Sequence, residues 1–277
     1  LDEIFFVFEY DEIEAYSIQI TRDAELDLDK NVSERFIEAL SKSLQKRKKG
    51  KPMRLLYDTA MPLDMLTFAV SKLELHSESL IPGNKYHNFK DFIGFPNVGE
   101  DYLEYKKITP LPVKDLSIYK GMFELIKKRD YLVNFPYQSF DYIIDLLREA
   151  AIHPDVTAIK INLYRVAKNS KIINALVNAL NNGKQVQVIV ELRARFDEEN
   201  NINVSNILQD AGADIIFGVK GLKVHSKLML IEKVKNLKTT YYAHIGTGNF
   251  HEGTARVYSD TTLLTCDPRI AVEVNKV

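Results

Sequence analysis

The stretch Thr157-Ala-Ile-Lys-Ile-Asn-Leu-Tyr-Arg165 is an apolar, β-branched run that ends in an arginine. Gln185-Val-Gln-Val-Ile-Val-Glu-Leu-Arg-Ala-Arg195 has the same form, and both are typical of buried strands. Between them, Asn169–Asn182 has helical spacing and is followed by Gly183, a common helix stop. Strand, helix and strand in this order favour a right-handed crossover within a parallel sheet that helices cover on both faces.

The same alternation continues to either side of this unit. Ser139–Ala151 and Asn203–Asp210 are predicted helices, and Asp214–Gly218 is a predicted short strand. Val224–Ile231 and Thr240–Ile245 are separated by one short polar segment, which favours a hairpin. The pattern therefore predicts an α/β domain with a mixed, mainly parallel sheet.

The first hundred or so residues favour an α+β domain. Ile4–Glu9 and Glu14–Thr21 are strand-like, and Asn31 with Glu34 resembles the capping box of a helix that ends in the basic run Lys46–Lys49. A polar segment with two prolines then interrupts the pattern near residues 110–114. We predict one domain over residues 1–112 and a second over residues 113–277.

Composition limits the classes of function. The chain has 277 residues and a net charge of −1, so it has no overall attraction for nucleic acid or anionic membrane, and any polyanion site must be a local cluster of cations. Cys266 is the single cysteine, which excludes an intrachain disulfide and favours a reducing compartment. Apolar runs are too short for a membrane span, and no signal peptide opens the chain. These features predict a cytoplasmic protein that does not bind nucleic acid.

Arginines follow both predicted strands. Ligands of open α/β sheets bind beyond the carboxyl ends of the strands, where Tyr164-Arg165 and Arg193-Ala-Arg195 stand. Guanidinium groups at that edge can hold phosphate oxygens bidentately. The alternative interpretation is that they are ordinary solvated residues at strand ends. The nearby acids Asp197, Glu198 and Glu199 are explained equally well as a solvated helix start.

His225 stands out among the six histidines. If Leu222–Ile231 is a strand, Lys223, His225 and Lys227 share one face, where an imidazole between two lysines has no evident packing role. Neighbouring cations would lower its pKa and favour the neutral imidazole, which can act as a nucleophile. The same lysines would stabilise the anion that it attacks.

A glycine loop follows the second strand of the predicted hairpin. In Gly246-Thr-Gly-Asn249 the glycines permit close approach of a ligand to the backbone, and Asn249 supplies an amide donor. Arg256 and Tyr258 are expected to line the same pocket, whereas His244 and His251 are expected only to shape it. The sequence contains no phosphate-binding loop of the G-x-x-x-x-G-K-[ST] type and no spacing typical of zinc ligands.

His225-x-Lys227 followed by Gly246-Thr-Gly-Asn249 resembles the signature of the phospholipase D superfamily, whose members pass phosphoryl or phosphatidyl groups through a phosphohistidine. The aspartate that usually follows the lysine is missing. Met229, Ile231 and Lys233 stand where an acid would be sought. This departure points away from an ordinary phosphodiesterase.

A closer resemblance covers nearly the whole chain. The chain is similar to the ATP-dependent, polyphosphate-synthesising polyphosphate kinase family in these stretches: Lys85-Tyr-His-Asn-Phe-Lys-Asp91, Pro136-Tyr-Gln-Ser-Phe-Asp141, Leu163-Tyr-Arg165, Val190-Glu-Leu-Arg-Ala-Arg-Phe-Asp-Glu-Glu-Asn-Asn201, Gly221-Leu-Lys-Val-His-Ser-Lys227 and Ile245-Gly-Thr-Gly-Asn-Phe250. Two departures are small. Ser226 replaces a more usual alanine, and Val133-Asn-Phe135 stands where the family often has histidines.

The resemblance implies a function and a set of roles. The terminal phosphate of ATP would pass reversibly to long-chain polyphosphate through a phosphohistidine at His225, assisted by Lys227 and Asn249. Arg165 and Arg195 would belong to the magnesium–nucleotide site, and because arginine cannot ligate Mg²⁺, they would hold the phosphate oxygens that do. The two remaining residues expected to bind ATP or phosphate are Tyr258 and Lys223.

The resemblance also implies partners and an organisation. Residues 1–112 would be the middle domain and residues 113–277 the first of two phospholipase D-like domains, with the second half absent, so this piece alone would have little or no activity. The full-length protein would bind ATP, ADP, Mg²⁺ and polyphosphate, form a homodimer or homotetramer, and associate peripherally with a membrane. Two alternatives remain at this stage: a phospholipase D-like phosphodiesterase or nuclease, and a non-catalytic module that binds polyphosphate or nucleotide.

Overall fold

The computed structural model describes residues 12–23, 50–99, 101–106, 108–116, 120–192, 194, 197–219 and 221–277. Of these, the residues up to Tyr105 form one compact unit and those from Lys106 form a second. The boundary at residues 112/113 stays a prediction. Several sequence-based predictions lie outside the described residues: the strand Ile4–Glu9, the helix starting at Asn31, the basic run Lys46–Lys49, and the arginines Arg193 and Arg195.

The first unit contains a small mixed sheet. Strand β1 (Ile18–Arg22) pairs antiparallel with β2 (Pro52–Asp58), and β2 pairs in parallel with β3 (Leu80–Gly83). Helix α1 (Leu63–Leu73) connects β2 to β3, as a parallel pair requires. A 3₁₀ helix at Phe89–Gly94 lies within the segment after β3.

The second unit has a seven-stranded sheet in the order β4-β10-β9-β8-β5-β6-β7. Its strands are β4 (Tyr131–Phe135), β5 (Val156–Leu163), β6 (Gln185–Val190), β7 (Asp214–Phe217), β8 (Lys227–Lys235), β9 (Lys238–Gly246) and β10 (Asp260–Thr265). Its helices are α2 (Met122–Lys128), α3 (Asp141–Ile152), α4 (Lys171–Asn181), α5 (Glu198–Asp210) and α6 (Pro268–Lys276).

The prediction of a mixed sheet is confirmed, but the prediction that it is mainly parallel is wrong. Among the described strands of this seven-stranded sheet, only β5/β6 and β6/β7 are parallel, and the other four neighbouring pairs are antiparallel. The physical reason lies in the connections. β8 and β9 are joined by a two-residue turn at Asn236-Leu237, and so short a connection permits only antiparallel pairing. The predicted hairpin is thus confirmed, and it accounts for one of the four antiparallel pairs.

Helices predicted from apolar spacing are found close to their predicted limits. Ser170 caps α4 by accepting from the Ile172 N–H at 3.1 Å, and Gly183 follows the helix with a φ of 75°. α5 starts at Glu198, earlier than the predicted Asn203, and the Glu198 side chain is buried. The interpretation of this start as a solvated segment is therefore wrong for Glu198.

The core of the second unit lies between the central strands and helices α3 and α4. Ile143 and Leu147 of α3 and Leu176 of α4 are fully buried, as are Ile159 and Val188 of the sheet. Within the part of the chain that the structure describes, no helix combines the length and the apolar character that crossing a membrane requires.

Candidate active site

The ends of four strands bring the predicted site residues to one edge of the second unit's sheet. β5 ends at Leu163, which pairs in parallel with Val190 at the end of β6. β8 starts at Lys227, which pairs with Gly246 at the end of β9. Because β8 runs antiparallel to β5, its start lies beside the end of β5. One edge of the sheet therefore carries four segments: those that follow β5, β6 and β9, and the one that precedes β8.

His225 lies in the irregular segment before β8, not in a strand. β8 starts at Lys227, and residues 223–226 belong to no strand or helix. A bridge between Val219 and Leu222 and a φ of 77° at Gly221 turn the chain just before this segment. The predicted strand face is wrong, but the predicted pair is present. The ammonium Nζ of Lys227 is 3.1 Å from Nδ1 of His225 and also donates to the carbonyl oxygen of His225.

The ring of Tyr164 lies at the centre of the basic cluster. The imidazole of His225 meets this ring edge-on, with ring centroids 5.0 Å apart. Among the described residues, three cations lie near the ring: Nζ of Lys227 at 5.4 Å, Nζ of Lys223 at 5.6 Å and Cζ of Arg165 at 5.7 Å from its centroid. The aromatic face attracts each of them, which partly offsets their mutual repulsion. A polyanion that reached this edge would meet three cations and an imidazole at once.

Electrostatics within the cluster favour the neutral imidazole. The positive charge of Lys227 contributes most to a lowering of the pKa of His225, followed by partial burial and by the charges of Lys223 and Arg165. Burial lowers the pKa of Lys227, which is 5% exposed, and Asp260 acts in the opposite direction. The predicted direction of the His225 shift is thus found, with Arg165 as a further cation that spacing along the sequence did not predict.

Arg165 is oriented by a carboxylate that sequence reasoning assigned only to a helix start. Nε of Arg165 lies 2.6 Å from Oδ2 of Asp197, the residue directly before α5. Both side chains are partly exposed, so the pair is at the edge of the site and not within the core. A carboxylate on the Nε side restricts the rotation of the guanidinium plane.

The loop after β9 is held against β10. The Thr247 hydroxyl donates to Oδ1 of Asp260 at 2.8 Å, and the Thr247 N–H donates to the Thr261 carbonyl at 3.0 Å. Gly248 packs so closely that a Cβ there would be 2.4 Å from Oδ2 of Asp260. Oδ1 of Asn249 is buried and accepts no hydrogen bond from the residues that the structure describes. Asn249 therefore sits in a rigid loop beside the start of β8, with an acceptor that is still available.

Glu252 ties the same loop to helix α4. Its Oε1 accepts from the Ser170 hydroxyl at 2.9 Å and from the Lys171 N–H at 2.6 Å, at the positive end of the helix. Nδ1 of His251 accepts from the Gly253 and Thr254 N–H groups, so that histidine organises the turn. His244, buried behind the loop, has its pKa lowered to about 4 by burial.

The described part of the structure does not place every predicted residue in the cluster. Tyr258 is 64% exposed, and the described contacts do not join it to His225. Arg195 lies outside the described residues. Glu232 is the acid that follows Lys227 in sequence, but it lies further along β8, where it accepts from the Thr157 hydroxyl at 3.2 Å. Five steps along the strand place it roughly 17 Å from Lys227.

Besides the contact of Asp197 with Arg165, sequence reasoning missed four contributors to the site. Tyr164 was noted only as the neighbour of Arg165, and Asp260, Glu252 and Glu191 were given no role of their own. Each acts through a contact with a residue distant in sequence, such as Glu191 with the Val224 N–H. Of these four residues, Asp260 had the clearest signal in the sequence. It lies shortly after the Gly246-Thr-Gly-Asn249 loop, and a chain that turns back over that distance can bring a carboxylate into contact with the loop.

The described side chains do not form a metal site. No group of three or more potential His, Cys, Asp or Glu ligands comes together among the residues that the structure describes. Lysine and arginine do not ligate Mg²⁺, which prefers oxygen ligands. The cluster around Tyr164 therefore fits phosphate oxygens and does not itself fit a cation.

Comparisons with known proteins identify the family of the chain. Residues 1–95 match the model of the polyphosphate kinase middle domain, and residues 121–277 match that of polyphosphate kinase C-terminal domain 1. The chain is 51% identical over 271 residues to a polyphosphate kinase of Vibrio vulnificus and 47% identical over 284 residues to that of Escherichia coli K12. It covers 39% and 41% of those two proteins, and they match 98% and 100% of the chain.

A solved structure of similar fold extends the comparison to three dimensions. The crystal structure of a polyphosphate kinase from Porphyromonas gingivalis superposes on 99% of this chain with a TM-score of 0.70 and 37% identity. The chain spans 38% of that protein. The likeness therefore concerns both units of the chain and less than half of each relative.

Proposed function

The chain belongs to the polyphosphate kinase family, and on that premise we propose that His225 is the residue through which phosphate passes from ATP to polyphosphate. One observation carries this proposal: an imidazole with a lowered pKa stands among three cations around the ring of Tyr164. A neutral imidazole is a nucleophile at neutral pH, and the cations suit a phosphoryl donor that carries several negative charges.

The reaction has two displacement steps. An imidazole nitrogen of His225 attacks the terminal phosphorus of ATP, the bond from that phosphorus to the bridging oxygen breaks, and ADP leaves with the electron pair. A terminal oxygen of polyphosphate then attacks the same phosphorus, the N–P bond breaks, and the imidazole recovers its lone pair. The reverse sequence makes ATP from ADP, so the transfer is reversible.

Lys227 prepares both the nucleophile and the phosphate. An ammonium can only donate, so Nδ1 of His225 accepts from Lys227 and its lone pair is engaged before substrate arrives. A phosphate oxygen that accepts from Lys227 competes for that donor and releases the imidazole for attack. Lys223 and Arg165 then hold further phosphate oxygens, and Asn249 contributes from the adjacent loop. Arg195 and Tyr258 are proposed to bind the nucleotide in the same site.

Magnesium enters this scheme as part of the substrate. The cluster repels a free divalent cation, so Mg²⁺ would be bound by the phosphate oxygens of ATP, which Arg165 and Arg195 would hold from the other side. Because the chain spans about 40% of its relatives' length, further parts of such proteins would complete the pocket, and the experiments below use the full-length enzyme. Its homo-oligomeric state, peripheral membrane association and cytoplasmic location stay predictions.

Phosphate on His225 is the decisive observation. The full-length enzyme is incubated with Mg-ATP labelled in the terminal phosphate, digested at neutral pH, and analysed by mass spectrometry for acid-labile phosphate on the peptide containing His225. We expect label on that peptide, its discharge on addition of ADP or polyphosphate, and its loss in His225→Gln. His153→Gln is the matched control, because His153 packs against Phe123 away from the site.

Two other outcomes would contradict the proposal. Cleavage of a phosphodiester in the absence of ATP would favour the phosphodiesterase alternative. Binding of polyphosphate or nucleotide with no label on His225 would favour a non-catalytic module.

A further inference from the structure

A buried carboxylate reaches the segment that carries His225. Glu191 directly follows β6, and its side chain is 2% exposed. Its Oε2 accepts a hydrogen bond of 2.9 Å from the N–H of Val224, the residue before His225. Burying a carboxylate costs free energy unless hydrogen bonds compensate for the lost water. A buried acid at this position is therefore expected to have a role beyond filling space.

Asn201 fixes the position from which Glu191 acts. Asn201 lies in α5 and is also 2% exposed. Its Nδ2 donates to the carbonyl of Tyr164 and to the carbonyl of Glu191, each at 2.9 Å. One amide group thus joins the ends of β5 and β6. The amide group thereby sets the separation between Tyr164 and Glu191. The ring of Tyr164 meets His225, and the carboxylate of Glu191 holds Val224, the residue before His225.

The segment that carries His225 needs such an anchor. Residues 223–226 belong to no strand or helix, so no ladder of backbone hydrogen bonds determines where the imidazole stands. The Lys227 ammonium contacts His225 from one side, and the Tyr164 ring contacts it from another. The bond from Val224 to Glu191 restrains the backbone itself.

We propose that Glu191 and Asn201 are positioning residues for His225, which hold its backbone segment at a fixed distance from the ring of Tyr164 through the Val224 N–H. This inference rests on the proposed function, because it assigns the residues to the same phosphoryl transfer. Neither residue touches the reacting atoms. A displacement of about 1 Å in a reacting group can cost about 100-fold in rate, so the restraint matters for chemistry as well as for stability.

The structure offers a matched control for a purely structural role. Oε2 of Glu149, near the end of α3, accepts from the Met122 N–H at the start of α2. This is also a carboxylate bound to a backbone donor of another element. Since α3 ends just before β5 starts, Glu149 lies at the edge of the sheet opposite to His225.

The test compares Glu191→Gln, Glu191→Met and Glu149→Met in the full-length enzyme. Glutamine keeps an oxygen acceptor for the Val224 N–H, whereas methionine of similar size does not. Three quantities are measured: hydrogen exchange of the peptide covering residues 222–226, the single-turnover rate of His225 phosphorylation, and the dissociation constant of Mg-ATP. The thermal midpoint of each variant shows that it is folded.

Glu191→Met is expected to speed exchange at Val224 by about tenfold, the equivalent of one lost hydrogen bond to a charged group. Its phosphorylation rate is expected to fall by about 100-fold with Mg-ATP affinity changed by about twofold or less, because the nucleophile is displaced and the nucleotide contacts are not. Glu191→Gln is expected to stay within about fivefold of the wild-type rate. Glu149→Met is expected to lower the thermal midpoint and leave the rate per folded molecule unchanged.

The proposal is overturned if Glu191→Met phosphorylates His225 at the wild-type rate, or if Glu191→Gln loses as much as Glu191→Met. Unchanged exchange at Val224 in Glu191→Met also overturns it. If wild-type His225 takes no phosphate, the proposed function fails. The exchange measurement still decides whether Glu191 holds the segment, because it requires no reaction.

Discussion

Of the described glycines, Gly248 leaves the least room for a side chain, so Gly248→Ala is expected to perturb the loop. The added Cβ would lie 2.4 Å from Oδ2, 2.5 Å from Cγ and 2.7 Å from Cβ of Asp260. Ordinary van der Waals contact starts near 3.4 Å, so the loop and Asp260 must move apart by about 1.0 Å to reach it. Three of the nearest atoms belong to one side chain, so a small rotation of that side chain does not relieve all the contacts.

Both sides of this contact are restrained. Asp260 accepts from the Thr247 hydroxyl at 2.8 Å, and Thr247 exchanges two further hydrogen bonds of 3.0 Å with the backbone of Thr261. A separation of 1.0 Å therefore breaks bonds or moves Asn249, which directly follows Gly248. Overpacking of this kind costs about 1–3 kcal/mol of stability. A comparable shift of a group that contacts the reacting atoms costs about 100-fold in rate.

The assay combines urea unfolding with single-turnover phosphorylation of His225 in the full-length enzyme. Gly94→Ala is the control, since no atom lies within 4 Å of a Cβ at that position. We expect the control to match the wild type in both measurements. A Gly248→Ala enzyme with wild-type urea midpoint and wild-type phosphorylation rate would refute the packing of this loop against Asp260 and the role assigned to Asn249.

Three further predictions concern neighbouring residues. Lys227→Met should move the midpoint of the pH–rate profile for His225 phosphorylation to higher pH, because the cation that most lowers the His225 pKa is removed; an unchanged midpoint would contradict this. Burial lowers the pKa of His244 in the folded state from its ordinary value of 6.5 to about 4, so the unfolded state takes up a proton first as the pH falls. The stability it contributes is complete above pH 6.5 and declines towards pH 4 by about 3 kcal/mol, and urea unfolding of His244→Gln should lack this part of the pH dependence. Glu252→Met should lower stability by about 1–2 kcal/mol through loss of its bonds to α4, and Glu252→Gln by less, as thermal unfolding would show.

Local patterns in the sequence predicted local structure well. Apolar spacing followed by Gly183 predicted α4, and the short polar segment between Ile231 and Thr240 made the hairpin β8–β9 predictable. The order of the strands was not predictable in the same way. β10 pairs with both β4 and β9, and a partner chosen from distant parts of the chain leaves no periodic signal within either segment.

In the candidate site, contacts between residues close in sequence were likewise predictable, and contacts made through the sheet were not. The contact between His225 and Lys227 was predicted from a spacing of two residues, and it exists although the segment is not a strand, because side chains so close in sequence reach each other in several backbone conformations. Tyr164 and Asp260 reach the site only through the sheet. Their roles depend on strand register, which the composition of their own segments does not specify.

The net charge of −1 conceals a positive field at the edge of the sheet. Asp197 pairs with Arg165 there, but two other acids near this edge, Asp260 and Glu252, show how the rest of the field survives. Asp260 is close enough to raise the pKa of Lys227, yet its Oδ1 accepts from the neutral Thr247 hydroxyl. Glu252 likewise accepts from a hydroxyl and from backbone N–H groups. A carboxylate that is hydrogen-bonded to neutral donors is held at a fixed distance from the cations. It therefore does not form a direct ion pair with them, as a mobile surface carboxylate would. Lys227 can therefore still lower the pKa of His225 and remain available to a phosphate. A cluster of cations therefore attracts a polyanion when its neighbouring carboxylates are bound to neutral donors. The net charge of the chain does not show how those carboxylates are bound.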